Sequence, residues 1–156
     1  MAVVVVQMNN KMNLRFNYSR VYFNCLNKHK KVNTSWEDVK RIGNLFEKKY
    51  NEEIKKILEI IPSILNKEWE QEEINVYLVD WFGPSFSHPL TLKIRDDTLL
   101  MLVILTHELV HYFFMNEPAG KKKEKKINNV VEKVFLKLNI NAKKQISNLR
   151  EISEKI

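Results

Sequence analysis

The sequence predicts one α+β domain, and three observations lead to that prediction. A capped amphipathic helix pattern begins near residue 34, strand-like runs occupy residues 74–79 and 90–95, and the rest of the chain carries helix patterns only. Helices and strands that lie in separate stretches are typical of an α+β fold. No Gly/Ser/Pro-rich linker interrupts the 156 residues, so we expect residues 1–156 to form a single domain with its core at 34–140.

Three short N-terminal runs have the composition of β-strands. Residues 3–6, 14–18 and 21–23 are rich in Val, Phe and Tyr, although asparagines separate them. A capping box with Thr34 as the N-cap then opens a long helix, whose apolar residues recur at helical spacing as far as Ile61. We expect the following proline to kink or end this helix.

Two strands and three helices should follow. The run at 90–95 alternates between apolar and polar residues, so one face should pack on the core and the other should remain open. Acidic residues at 96–97 can cap a helix that continues to Phe114 and is apolar nearly all round, which predicts a buried central helix. Apolar stripes at 127–138 and 146–156 predict two further helices.

Composition and charge exclude several classes of protein. A chain with 44% apolar and 29% charged residues is neither disordered nor fibrous. Cys25 is the only cysteine, so an intrachain disulfide is excluded and a reducing, cytoplasmic location is expected. No run suits a signal peptide or a membrane span. The net charge of +7 comes mostly from lysines without interleaved aromatic residues, so we do not expect a nucleic-acid partner.

His107-Glu108-Leu109-Val110-His111 is an H-E-x-x-H motif. On a helix, the i, i+4 spacing puts both imidazoles on one face, close enough to bind one zinc ion. Glu108 would lie beside the metal, where its carboxylate can act as the general base toward an attacking water. Three fixed letters also arise by chance, but apolar neighbours would bury these polar groups, and a metal would compensate the cost of that burial.

A catalytic zinc ion needs a third protein ligand, and three glutamates follow the motif. Glu117 stands where the metzincin pattern has its third ligand, but that return of the chain needs a glycine where this sequence has Phe114. Glu124 lies in the lysine run 121–126, with Lys121 three residues before it, so a solvated ion pair accounts for it.

Glu132 is the third ligand that the sequence favours. The interval after His111 leaves room for a turn and an antiparallel helix, and no cation lies three or four residues from Glu132 to form a helical ion pair. We therefore expect His107, His111 and Glu132 to hold one zinc ion, with Asn128 or Asn129 orienting a ligand.

These residues resemble the gluzincin group of zinc metallopeptidases, in which a Glu from the next helix completes H-E-x-x-H. The long helix, the stretch Ser87-His88-Pro89-Leu90-Thr91-Leu92, the motif and Glu132 are similar, over about residues 34–140, to the minigluzincin family. The resemblance implies a zincin-like minimal metallopeptidase domain. Its parts would be a long N-terminal helix, a small twisted sheet with an upper-rim strand, a buried active-site helix, a glutamate-bearing helix and a C-terminal helix.

The resemblance also implies an activity and a substrate. Glu108 would serve as general base and acid, and the upper-rim strand with Leu90, Thr91 and Leu92 would pair with an extended peptide or unfolded-protein segment. Specificity is expected to be narrow. Family members are latent or self-inhibited, so the C-terminal helix at 141–156 or self-association would close the cleft; packing of this helix on the core is the alternative.

Two points stay open at the level of sequence. Larger gluzincins have an Asp four residues after the ligand Glu, which the helix of Glu132 lacks. His88 precedes Pro89 and would either stabilise an oxyanion or serve the entry of the strand. The rival to a peptidase is a zinc-stabilised binding or regulatory module with a basic surface, in which a fourth protein ligand would close the site.

Overall fold

The computed structural model describes residues 11–155 as an α+β fold. Within this range the elements follow one another as β1 (Asn13–Asn17), α1 (Arg20–Leu26), α2 (Trp36–Leu65), β2 (Glu73–Val79), β3 (Phe86–Ser87), β4 (Leu90–Lys93), α3 (Thr98–His111), α4 (Lys121–Leu138) and α5 (Lys143–Ser153). The strands predicted at 14–18 and 74–79 are confirmed as β1 and β2. The strand predicted at 3–6 lies outside the described residues.

The four strands form one mixed sheet in the order β1-β2-β4-β3. β2 pairs in parallel with β1 on one side and with β4 on the other, and β3 is antiparallel to β4. Parallel pairing of β1 with β2 requires a long crossover, and α1 and α2 supply it.

The run at 21–23 is helical, so the prediction of a strand there is wrong. Ser19 caps α1 by accepting a hydrogen bond from the backbone N–H of Tyr22. Phe23 turns inward and its ring packs 5.6 Å from that of Trp36, measured between centroids. The cap and the buried aromatic contact decide the local structure against the strand propensity of Val, Tyr and Phe.

The long helix α2 differs from its prediction at both ends. Ser35, one residue later than expected, is the N-cap and accepts from Asp38 N at 3.1 Å, while Thr34 donates instead to the Asp80 carboxylate. Pro62 lies inside the helix, which continues to Leu65. The carbonyl of Leu58, which a proline at 62 cannot engage, accepts a hydrogen bond from the Trp69 indole N–H at 2.8 Å.

The strand β4 is buried on both faces. Leu90, Thr91 and Leu92 are at most 1% exposed, so the prediction of an open face is wrong. β2 pairs with Thr91 and Leu92 along one edge, and β3 pairs with Leu90 and Thr91 along the other, so β4 is an inner strand of the sheet. The buried hydroxyl of Thr91 has a hydrogen-bond partner, because it lies 2.7 Å from the hydroxyl of Tyr22.

The predicted central helix is confirmed, although it ends at His111 and not at Phe114. Every residue from 100 to 110 is buried, and α3 packs against α2, α4, α5, β3 and β4. α5 also belongs to the core, since Ile146 and Leu149 are 8% and 4% exposed and the helix packs on α3 and α4. No helix among residues 11–155 is both long and apolar enough to cross a membrane.

Candidate metal centre

The centre is built where α4 returns along α3. α3 ends at His111, and α4 begins after Gly120, whose φ of 140° favours glycine. The helices run antiparallel, because the later residue His111 meets Glu124 while the earlier residue His107 meets Asn128. The first turn of α4 therefore lies beside the motif.

Three ligand side chains converge between the two helices. His107 Nε2 lies 3.1 Å from His111 Nε2 and 3.1 Å from Glu124 Oε2, and His111 Nε2 lies 3.4 Å from Glu124 Oε1. The side chain of His107 is 4% exposed and those of the other two are 16% exposed. Together they form a group that could bind a metal ion.

The hydrogen bonding of this group fits a cation. His107 Nδ1 lies 2.8 Å from Asn128 Oδ1, which accepts its proton, so neutral His107 presents a lone pair on Nε2. Glu124 Oε2 is buried without a hydrogen-bond partner. Buried acceptors that face one another are costly unless a donor or a cation lies between them.

The two carboxylates near the centre have opposite pKa shifts. Burial raises the pKa of Glu108 to about 7; the neighbouring His111 lowers it and Glu124 raises it further. Burial also raises the pKa of Glu124, but when His107 and His111 are protonated, their hydrogen bonds and positive charges outweigh this effect and bring the pKa to about 2. Glu124 is thus held as the anion a metal ligand must be, whereas Glu108 is suited to exchanging protons near neutral pH.

Glu132 lies away from the histidines, so its assignment as third ligand is corrected to Glu124. Its side chain is 56% exposed and pairs with Arg150 Nη2 at 3.0 Å. The buried stripe of α4 passes through Ile127 and Val131, and a residue one position beyond Val131 points about 100° away from it. Glu124, three residues before Ile127, lies on the stripe.

The sequence contained a signal for Glu124. The lysines of the 121–126 run at positions 121, 122, 125 and 126 are exposed, while Glu124 is partly buried, so the charged run is one face of the helix start. Extending the spacing of Ile127 and Val131 backwards places Glu124 on the inner face.

The other candidate site residues on and before α4 lie in different environments. Asn128 is fully buried and bonded to His107, whereas Asn129 lies at the surface and accepts from Arg150. Glu117 forms a surface ion pair with Lys126 at 3.2 Å. Of the two asparagines predicted to orient a ligand, the structure brings only Asn128 to the centre.

His88 lies at the turn between β3 and β4, close to the end of α3. Its ring centroid is 4.4 Å from that of Tyr112, and Tyr112 donates from its hydroxyl to the Ser87 carbonyl at 3.0 Å. Burial lowers the pKa of His88, and the neighbouring His111 and Lys123 lower it further. These contacts bring the edge strand β3 next to the metal centre.

Comparison of the chain with protein-family models, curated proteins and solved structures found no match. The geometry of the site therefore carries the functional inference.

Proposed function

We propose that the chain is a zincin-like zinc metallopeptidase of the gluzincin type. His107, His111 and Glu124 would hold one zinc ion, and Glu108 would be the general base. The observation that supports this most strongly is that one ligand atom from each of the three residues lies within 4.8 Å of the others, next to a buried carboxyl group whose pKa is raised to about 7.

The types and number of ligands favour zinc as the metal. Nitrogen and oxygen ligands of tetrahedral zinc lie about 2.0–2.1 Å from the ion and so about 3.4 Å from one another. At this site His107 Nε2 lies 3.1 Å from both His111 Nε2 and Glu124 Oε2, and with one ligand atom taken from each residue all three atoms lie within 4.8 Å of one another. Three protein ligands of this kind are also the number that a catalytic zinc site uses, whereas a structural site uses four.

Zinc bound there supplies a Lewis acid that polarises a carbonyl and activates water. Glu108 takes the proton from the attacking water, because its raised pKa of about 7 allows it to accept and release a proton at neutral pH. The same carboxyl then delivers the proton to the departing amine.

The substrate would lie along β3, which replaces β4 as the edge strand next to the centre. An extended peptide can add to a free strand edge through backbone hydrogen bonds. Ser87 Oγ lies 2.7 Å from His88 Nδ1, so its hydroxyl can donate to that nitrogen and leave Nε2–H as a donor. His88 would use it to stabilise the oxyanion of the reacting carbonyl.

The deciding experiment compares matched variants of two glutamates on α4. Elemental analysis should find one zinc per wild-type chain, little zinc in Glu124→Gln and a wild-type amount in Glu132→Gln. Peptide-library cleavage followed by mass spectrometry should follow zinc content. Both substitutions remove one charge from the same helix, so a general charge effect would act on both.

Two results would contradict the proposal in different ways. A folded wild type that takes up no zinc when supplied with it removes the metal centre. Zinc bound through Glu124 without cleavage of any library peptide favours the binding or regulatory module over the peptidase.

A further inference from the structure

The end of α5 lies behind the ligand His107. The imidazole meets Glu124 through Nε2 and Asn128 through Nδ1, so Asn128 stands on the opposite side of the ring from the metal position. Asn128 belongs to α4, yet its other hydrogen bonds go to α5. The C-terminal helix therefore contacts the ligand through one side chain.

The amide of Asn128 uses both of its donor hydrogens on α5. Nδ2 donates to Ser153 Oγ at 2.9 Å and to Glu154 Oε1 at 3.0 Å. Asn128 is fully buried, so no solvent competes for these groups. Its remaining polar atom, Oδ1, faces His107 Nδ1 at 2.8 Å.

The direction of each hydrogen bond is fixed by its neighbour. Ser153 donates its own hydroxyl proton to the Leu149 carbonyl at 2.8 Å, so its oxygen can only accept from Asn128. Glu154 is also an acceptor, because the hydrogen bond from Asn128 lowers its pKa, as does Arg150, against the opposing effect of burial. Reversing the amide would set its oxygen against two acceptors.

A second contact holds Glu154 in place. Arg150 Nη1 donates to Glu154 Oε1 at 2.7 Å, while Nη2 contacts Glu132 and Asn129 on α4, each at 3.0 Å. Glu132 thus helps to fasten α5 to α4 at the surface. Only Nη1 contacts the carboxylate against which Asn128 is oriented, and a glutamine at position 132 would keep an acceptor oxygen for Nη2.

We infer that Ser153 and Glu154 are positioning residues for the metal centre, which fix the Asn128 amide so that its oxygen accepts from His107 Nδ1–H and the Nε2 lone pair faces the metal. The inference rests on the metal-binding part of the proposed function. It assigns the C-terminal helix a role in the chemistry of the ligand: α5 selects the imidazole tautomer.

The test uses two double variants of α5 in the full chain. Ser153→Ala/Glu154→Leu removes both acceptors of the amide, and Ser147→Ala/Glu151→Leu makes the same changes at exposed positions of the same helix. A third variant, Glu154→Gln, keeps an acceptor oxygen and should restore the wild-type result. Circular dichroism checks that each variant is folded.

The first measurement is the ¹⁵N spectrum of the His107 imidazole in zinc-free protein at about pH 8.5, where a histidine side chain is ordinarily neutral. Wild type, the exposed-face variant and Glu154→Gln should show the Nδ1–H tautomer, and Ser153→Ala/Glu154→Leu a mixture. The second is zinc affinity by competition with a chelator, which should fall about 10-fold or more in that variant alone.

The outcomes separate this inference from the proposed function. If Ser153→Ala/Glu154→Leu keeps the Nδ1–H tautomer and full zinc affinity, α5 does not position the ligand, although the zinc centre stands. If wild-type His107 carries its proton on Nε2, the inference is overturned as well. If the tautomers change as expected but wild type binds no zinc, the proposed function fails and the positioning of His107 by α5 stands.

Discussion

Glu108 follows the ligand His107 on α3, and its side chain is only 6% exposed. A carboxylate there cannot be solvated as it would be in water, which is why its pKa is raised to about 7. Burial therefore has two effects on one residue: it brings the pKa of Glu108 near neutrality, as the proposed general base requires, and it makes the carboxylate costly to ionise within the fold.

Replacing Glu108 by glutamine should abolish peptide hydrolysis and leave zinc bound. The amide is nearly isosteric but cannot take a proton, and loss of a general base costs about 10²- to 10⁴-fold in rate. Peptide turnover and zinc content are measured on the same preparation. Glu108→Gln that still cleaved peptides at a rate near that of wild type would exclude Glu108 as the base.

The same substitution should stabilise the zinc-free protein at neutral pH. The pKa of Glu108 rises from an ordinary 4.5 to about 7 on folding, so its contribution to stability is full below pH 4.5 and is lost as the pH rises through 7. A neutral glutamine avoids this loss, of roughly 3 kcal/mol by linkage. Urea unfolding should show that wild type loses stability between pH 5 and pH 8 relative to Glu108→Gln. If the free energy of unfolding changes equally in both proteins, the pKa of Glu108 is not raised by folding.

Residue-level prediction succeeded where the chemistry is local and failed where it depends on the start of a helix. The motif at 107–111 is recognisable because both histidines lie on one helix at a fixed spacing. Identifying Glu124 required knowing that α4 begins at Lys121, since only then does the lysine run become a helix face with Glu124 on its inner side. No short pattern could reveal Ser153 and Glu154, because their partner Asn128 comes from another helix.

At the scale of elements, α2 contains a proline that the structure accommodates by a contact from outside the helix. Pro62 has no N–H to donate to the Leu58 carbonyl, and the indole of Trp69 donates to that carbonyl instead. Trp69 also packs on Phe113, with 4.5 Å between ring centroids. The chain after α2 thereby completes the hydrogen bonding of its last turns.

Trp69→Phe should destabilise the fold by about 1–2 kcal/mol, since it keeps an aromatic ring on Phe113 but leaves the Leu58 carbonyl without a donor. In a Pro62→Ala background the cost should be smaller, because the alanine N–H can donate to the same carbonyl. Denaturant unfolding of wild type, the two single variants and the double variant gives the coupling free energy between Trp69 and Pro62. Equal costs in both backgrounds would show that the indole hydrogen bond does not replace the missing one.

Helices and strands could be predicted from the sequence where a single hydrophobic pattern extends over many residues. The apolar pattern of α3 and the stripe of α2 depend on many residues, and both helices are found. β4 was expected to be half open because its residues alternate, yet Thr91 is buried by pairing with a hydroxyl on α1, a contact that alternation cannot reveal. The helix at α1 likewise depends on a tertiary contact, between Phe23 and Trp36.

At the scale of the whole molecule, the metal centre joins α3 to α4, while the Asn128 network joins both to α5. A ligand that binds only the folded state stabilises it, by about 4 kcal/mol when present at a thousand times its Kd. For a domain of this size that corresponds to a rise in Tm of roughly 10 °C.

We therefore expect zinc to raise the Tm of wild type and of Glu132→Gln by about that amount, and EDTA to reverse the rise. Glu124→Gln should respond far less, because it lacks one of the three ligands. Thermal scans by circular dichroism measure all three. An equal rise in Glu124→Gln would mean that zinc stabilises the protein from another place.

The parallel pairing of β1 with β2 has a consequence for how the chain is made. Leu14 pairs with Ile74, so β1 cannot form its backbone hydrogen bonds until the ribosome has added α1, α2 and β2. At about 5–20 residues per second this takes several seconds. α2 can form by itself in that interval, since its contacts are local. β4 is also synthesised before His107, so all four strands of the sheet have been made before the first residue of the candidate metal centre emerges.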